Sequence, residues 1–124
     1  MLTQNTEKID DAVTEVSLFY YSIDKDLRLA GFYLGLAVEI FIEWLIDENE
    51  IKFDFDRPTV QEQVKQLQKC NIIEKHIAEN LISCYSWRGN AIHRKPVDDK
   101  QARYFYRLIK DITWHYRASS KNLN

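Results

Sequence analysis

Apolar residues recur along most of this chain at intervals of three and four, the period of an amphipathic helix. Over residues 6–22 the stripe is Ile9, Val13, Val16, Tyr20 and Ile23, and Glu7, Asp10 and Asp11 suit the positive end of a helix dipole. Residues 27–47 are apolar around most of the circumference, which predicts a helix in the middle of a bundle. The stretch from Asn49 to Arg57 reads as the one sizeable loop, with Phe53 and Phe55 as lids over the core. Thr59 and Glu62 have the spacing of a capping box and open a short third helix through Val60, Val64 and Leu67. Asn71 with Glu74 has the same spacing and predicts the start of a fourth helix. Asp98 with Gln101, just after Pro96, opens a fifth, with Phe105, Leu108, Ile109 and Ile112 facing the core. Short connections between these segments predict an all-α antiparallel bundle of four to five helices, one domain over residues 1–124.

Composition agrees with that pattern. A chain of 124 residues can bury a core without disulfides or metal, and 45% hydrophobic with 29% charged residues excludes wholesale disorder. Three glycines and two prolines are too few for the frequent turns of a sandwich or barrel. Cys70 and Cys84 have no metal-ligand spacing and are expected to be reduced thiols. No Glu-x-x-His pair occurs, which excludes a carboxylate-bridged metal bundle, and no cofactor is expected. The N-terminus lacks a basic region followed by an apolar stretch, so a cytoplasmic location is expected. The apolar segment from Leu29 to Ile46 carries Glu39 and Glu43, which suits a buried core helix better than a membrane span.

The net charge of -2 hides an uneven distribution. Residues 1–62 hold five Lys/Arg against fourteen Asp/Glu, a balance of -9, and residues 63–124 hold twelve against five, a balance of +7. Either the basic half faces an anionic partner, nucleic acid foremost, or the two halves pair with each other within the chain or across a dimer.

The fourth helix departs from ordinary packing. Its apolar stripe runs Ile77, Leu81, Cys84, and the next position at that spacing is Arg88. A guanidinium on a core-facing stripe is costly unless it is paired or the stripe meets something polar. Gly89, Asn90, Ala91, Ile92 and His93 follow, then Arg94 and Lys95.

The stretch Trp87-Arg88-Gly89-Asn90-Ala91-Ile92-His93 resembles the Arg-x4-6-His signature of the HEPN superfamily (higher eukaryotes and prokaryotes nucleotide-binding domains). The setting is similar too: a Glu-bearing hydrophobic second helix, a short third helix, and a last helix after a Pro-Val-Asp-Asp turn. The resemblance implies a homodimer whose paired Arg and His side chains line one cleft that cleaves RNA without metal. It makes Arg88 and His93 catalytic and Asn90 the accessory polar residue, although the family's polar residue directly after the Arg is here Gly89. It also implies a toxin–antitoxin or antiviral-defence setting, in which an antitoxin or other regulatory protein is a further partner. An imidazole with a pKa near neutrality can take the proton of a ribose 2'-hydroxyl, a second can protonate the leaving 5'-oxygen, and paired N–H donors of Arg88 can hold the charge that builds on the phosphorane.

Several of these residues have plainer readings. Arg88 can be the ion-pair partner of Glu39 or Glu43, which lie one turn apart and otherwise stand behind the site as supports. His93 can be an exposed residue favoured by a helix C-terminus. Five residues apart on a continuous helix point about 140° from each other, so either the helix breaks near Gly89 or the Arg/His pair assembles across a dimer. Arg94 and Lys95 adjoin the motif and are candidate phosphate contacts. Arg103, Arg107, Lys110, Trp114 and Arg117 share one face of the last helix, which suits either RNA or solvent. Trp87 can stack a base or line a dimer interface, while His76 and His115 are expected as surface or packing residues. The alternatives to a nuclease are a catalytically silent HEPN-like module that binds RNA or a nucleotide, and a structural or adaptor bundle.

Overall fold

The computed structural model describes residues 2–54 and 56–121, which form five helices and no strand. They are α1 (Leu2–Ser22), α2 (Leu27–Glu48), α3 (Val60–Lys69), α4 (Lys75–Ile92) and α5 (Asp99–Lys121). Helix α2 packs against all four others, while α4 lies between α2 and α5 and α1 closes the ring by touching both α2 and α5. Helix α2 is long and apolar enough to cross a membrane, yet over half of its apolar window is buried against the other helices. Phe55, expected as a lid, lies outside the described residues; Phe53 is half-buried.

Local chemistry explains most helix starts. The Asp26 carboxylate caps α2 by accepting from the backbone N–H of Arg28 at 2.9 Å. Helix α3 carries the full capping box, with Glu62 N–H donating to Thr59 Oγ1 at 3.1 Å and Thr59 N–H to Glu62 Oε1 at 2.9 Å. Asp98 and Gln101 do the same for α5, at 2.8 and 3.1 Å. The expected box at Asn71 and Glu74 is absent. Asn71 instead takes the left-handed conformation that ends α3, with φ 60°, and α4 starts after Glu74 without a side-chain cap.

Three helices end alike. Ile51, Ile72 and Lys95 donate back to the carbonyls of Ile46, Leu67 and Asn90, across a left-handed Glu50, Asn71 or Arg94. This is the Schellman termination, which usually places glycine at the left-handed position. A Cβ there costs roughly 1 kcal/mol. Replacing Arg94 with glycine is therefore expected to raise stability by about 1 kcal/mol in denaturant unfolding, even though it removes a cation beside the motif.

The core is one continuous cluster drawn from all five helices. Phe41 of α2 is fully buried, its ring 5.3 Å from that of Tyr116 on α5, and Phe19 of α1 lies 6.2 Å from Trp87 on α4. Tyr20, expected on the core stripe of α1, is 44% exposed; Phe19 fills the core in its place, and Tyr20 packs 4.7 Å from the ring of Tyr106. The acidic and basic halves do meet within the chain: Asp24 pairs with Arg103, and Asp10 with Arg117 at 2.7 Å. Both cysteines are free. Cys70 is exposed, and burial pushes the Cys84 thiol up to about 12.

Candidate active site at the end of α4

Arg88 sits where α4 meets α2, and two glycines of α2 make room for it. A methyl group on Gly31 would lie 2.8 Å from Ala91 Cβ and 3.2 Å from the Arg88 carbonyl oxygen. One turn on, a methyl on Gly35 would collide with Arg88 Cδ and fall 2.9 Å from Cγ. Gly31 thus lets the two backbones approach, and Gly35 leaves the slot that the Arg88 stem fills. The guanidinium then lies 4.0 Å above the ring of Tyr85, and Nε donates to the Tyr85 carbonyl at 3.4 Å.

The expected carboxylate partners are engaged elsewhere. Glu43 accepts from Lys8 Nζ at 3.1 Å, which removes it from the site and corrects its expected supporting place. Glu39 accepts from the Tyr85 hydroxyl at 3.3 Å, so it reaches Arg88 only through that tyrosine. Burial, and then the Glu39 charge, push the Tyr85 hydroxyl above its usual pKa, while Arg88 pulls it back. Arg88 forms no ion pair among the described residues. Arg88 is thus a half-buried cation held by Tyr85 and by packing against α2 rather than by a carboxylate.

His93 is the C-cap of α4 and exposed, its backbone N–H bonded to the Gly89 carbonyl at 3.0 Å. That bond runs past Gly89, and α4 continues unbroken to Ile92. Gly89 is not a breaker: packing against α2 and α5 holds the helix through it, against a cost of only about 1 kcal/mol for a helical glycine. Arg88 and His93 therefore point about 140° apart, one toward α2 and one outward, and do not meet within one chain.

Gly89 has open space around it, with nothing within 4 Å of an added methyl. Gly89→Ala is accordingly expected to stabilise the isolated fold by about 0.5–1 kcal/mol in denaturant unfolding, through helix propensity alone. If a second α4 packs there, the same methyl weakens the dimer, which sedimentation at low concentration reads out.

The other candidates divide. Trp87 is only 4% exposed, its ring packed near Phe19 and Phe105 and its Nε1–H donating to Gln101 Oε1 at 3.2 Å. It is a core residue and offers no face to a base. Asn90 is exposed on the α5 side of α4, away from Arg88, and lines a groove of about 580 Å³. Arg94 and Lys95 are exposed at the same end as His93. On α5, Arg103 and Arg117 pair with Asp24 and Asp10. Arg107 is exposed and forms no ion pair among the described residues, and Lys110 Nζ lies 5.9 Å from the rings of Tyr106 and Trp114. His76 and His115, far apart in sequence, line one pocket of about 390 Å³ with Glu74 and Asp111. His76 Nδ1 is 3.2 Å from Glu74 Oε2. Nothing local in the sequence marks that pairing.

Gly89 and His93 lie on the outer side of α4, and Leu29 and Phe32 on neighbouring α2 are 41% and 51% exposed. Large apolar side chains left open on one helix face suit packing against a further helix. Comparison with protein-family models, curated proteins and solved structures found no match.

Proposed function

We propose that the chain is an endoribonuclease of the HEPN type, working as a homodimer without a metal ion. The observation that carries this reading is Arg88: half-buried, positioned by Gly35 and Tyr85, and left unneutralised although two carboxylates stand on the facing helix. A purely structural arginine at that position gains most from pairing with one of them. The unbroken α4 adds a second support. Since one chain's Arg88 and His93 diverge, the proposal requires a two-fold axis along the exposed face of α2 and α4 that would bring the two copies' side chains to a common cleft. Arg94 and Lys95 add cations at the same end for the flanking phosphates.

In that cleft one His93 takes the 2'-hydroxyl proton as the 2'-oxygen attacks phosphorus. The other His93 gives a proton to the departing 5'-oxygen, and Arg88 donates to the phosphorane oxygens. The bond to the 5'-oxygen breaks, leaving a 2',3'-cyclic phosphate and a 5'-hydroxyl. DNA lacks the nucleophile and stays intact. Because acid, base and charge stabiliser are all side chains, EDTA has no effect on the rate. The resemblance is also compatible with a role in toxin–antitoxin or antiviral defence in the cytoplasm, under the control of a partner protein.

The test is to incubate partner-free dimeric protein with single-stranded RNA and with DNA of the same sequence in EDTA. RNA fragments ending in cyclic phosphate, and uncut DNA, are expected. RNA left whole contradicts the proposal.

A further inference from the structure

We propose that the groove between α4 and the start of α5 is a nucleobase pocket for single-stranded RNA, and that Gln101 sets which base it accepts. This rests on the ribonuclease reading and extends it to substrate preference. The groove, of about 580 Å³, opens on the side of α4 that carries Asn90, one turn from His93. Ser83, Ser86 and Asn90 line it from α4, and Lys100, Gln101 and Tyr104 from α5; no carboxylate does. Tyr104 is 51% exposed, its ring braced by Phe105 at 5.3 Å in an edge-to-face contact, so it offers a positioned face for stacking. Lys100 supplies a cation for the phosphate of the same nucleotide.

Gln101 supplies the selectivity. Its Oε1 accepts from Trp87 Nε1–H at 3.2 Å and from the Asp98 backbone N–H at 3.1 Å. Both neighbours can only donate, so the amide cannot be turned over without losing both bonds. Its Nε2 then has two hydrogens to give and donates to no partner among the described residues. A fixed donor aimed at the 4-position of a pyrimidine or the 6-position of a purine favours the carbonyl that uracil or guanine carries there over the amino group of cytosine or adenine.

The decisive variant is Gln101→Glu. A glutamate keeps the acceptor for Trp87 and for the helix cap, where Glu is at home, so the fold is retained. It replaces the donor with an acceptor. Binding of single-stranded nonamers of U, C, A and G is measured at fixed salt in a His93→Ala background, which slows cleavage enough for binding to be read. The unaltered groove is expected to hold oligo-U about tenfold more tightly than oligo-C, and Gln101→Glu to remove or invert that ratio. Tyr104→Ala is expected to weaken every oligomer by about tenfold without shifting the melting curve. RNA that is cleaved and bound with no base preference, or with affinities indifferent to both changes, overturns the pocket and leaves the nuclease standing. No binding and no cleavage by the dimer overturns both. Uridine monophosphate held as tightly as the strand overturns the RNA assignment in favour of a free nucleotide.

Discussion

Replacing His93 with alanine is expected to slow RNA cleavage by about 10²–10⁴-fold, the usual cost of losing a general acid or base. The thermal transition should stay where it is. His93 is exposed at the end of α4, its side chain makes no hydrogen bond or ion pair among the described residues, and the backbone bond that it makes to Gly89 survives any non-proline substitution. Unfolding therefore gives no alternative explanation for a lost rate. In the dimer the loss strikes both proton transfers, since one imidazole takes the 2'-hydroxyl proton and its symmetry mate protonates the 5'-oxygen. The two quantities to measure together are the cleavage rate at saturating RNA and the unfolding midpoint. A variant that melts unchanged and still cuts at the parent rate removes His93 from the chemistry.

Gly31→Val is expected to act oppositely, through the fold. The first carbon added already lies 2.8 Å from Ala91 Cβ and 3.2 Å from the Arg88 carbonyl, and neither atom is the tip of a flexible side chain. Valine adds two more carbons, so α2 and α4 must separate. Overpacking of this sort costs about 1–3 kcal/mol, a large part of the roughly 5–15 kcal/mol that holds a domain of this size. The gain in helix propensity over glycine offsets only a few tenths of that. The helix pair so opened is the one that positions Arg88, so activity falls with stability. Equilibrium unfolding in denaturant measures the first effect: a midpoint equal to the parent's would show that α2 and α4 do not approach as closely as described.

Features set by neighbours in sequence were legible. The capping boxes at Thr59–Glu62 and Asp98–Gln101 lie where their spacing places them, because both partners sit within one turn. The span of α2 follows from its apolar circumference. Asn71–Glu74 shows the limit of such patterns: asparagine serves at a helix N-cap and equally at the left-handed position after a helix, and here the end of α3 claims it. Gly89 misled for a related reason, since its conformational cost is small beside the packing of α4 on its neighbours.

The site was legible in part. Arg88 stood out as a charge on an apolar stripe, and it does face α2. What receives it was hidden, because Gly35 and Tyr85 come from different helices and only the folded chain brings them together. The same holds for Glu43, drawn to Lys8 at the far end of α1, and for Trp87, whose position in the motif gave no hint that its ring closes the core against Phe19. The charge split carried two readings, and the ion pairs of Arg103 and Arg117 satisfy the intramolecular one for those two residues while leaving Arg94, Lys95 and Arg107 outside it.

The most direct measurement is a titration of the parent protein with its His93→Ala variant, after subunits have been allowed to exchange. If two copies share one cleft and both imidazoles take part, each mixed dimer is crippled, and RNA cleavage per parent chain falls in proportion to the parent fraction. If cleavage per parent chain stays constant however much variant is added, each chain acts alone and the shared cleft does not exist.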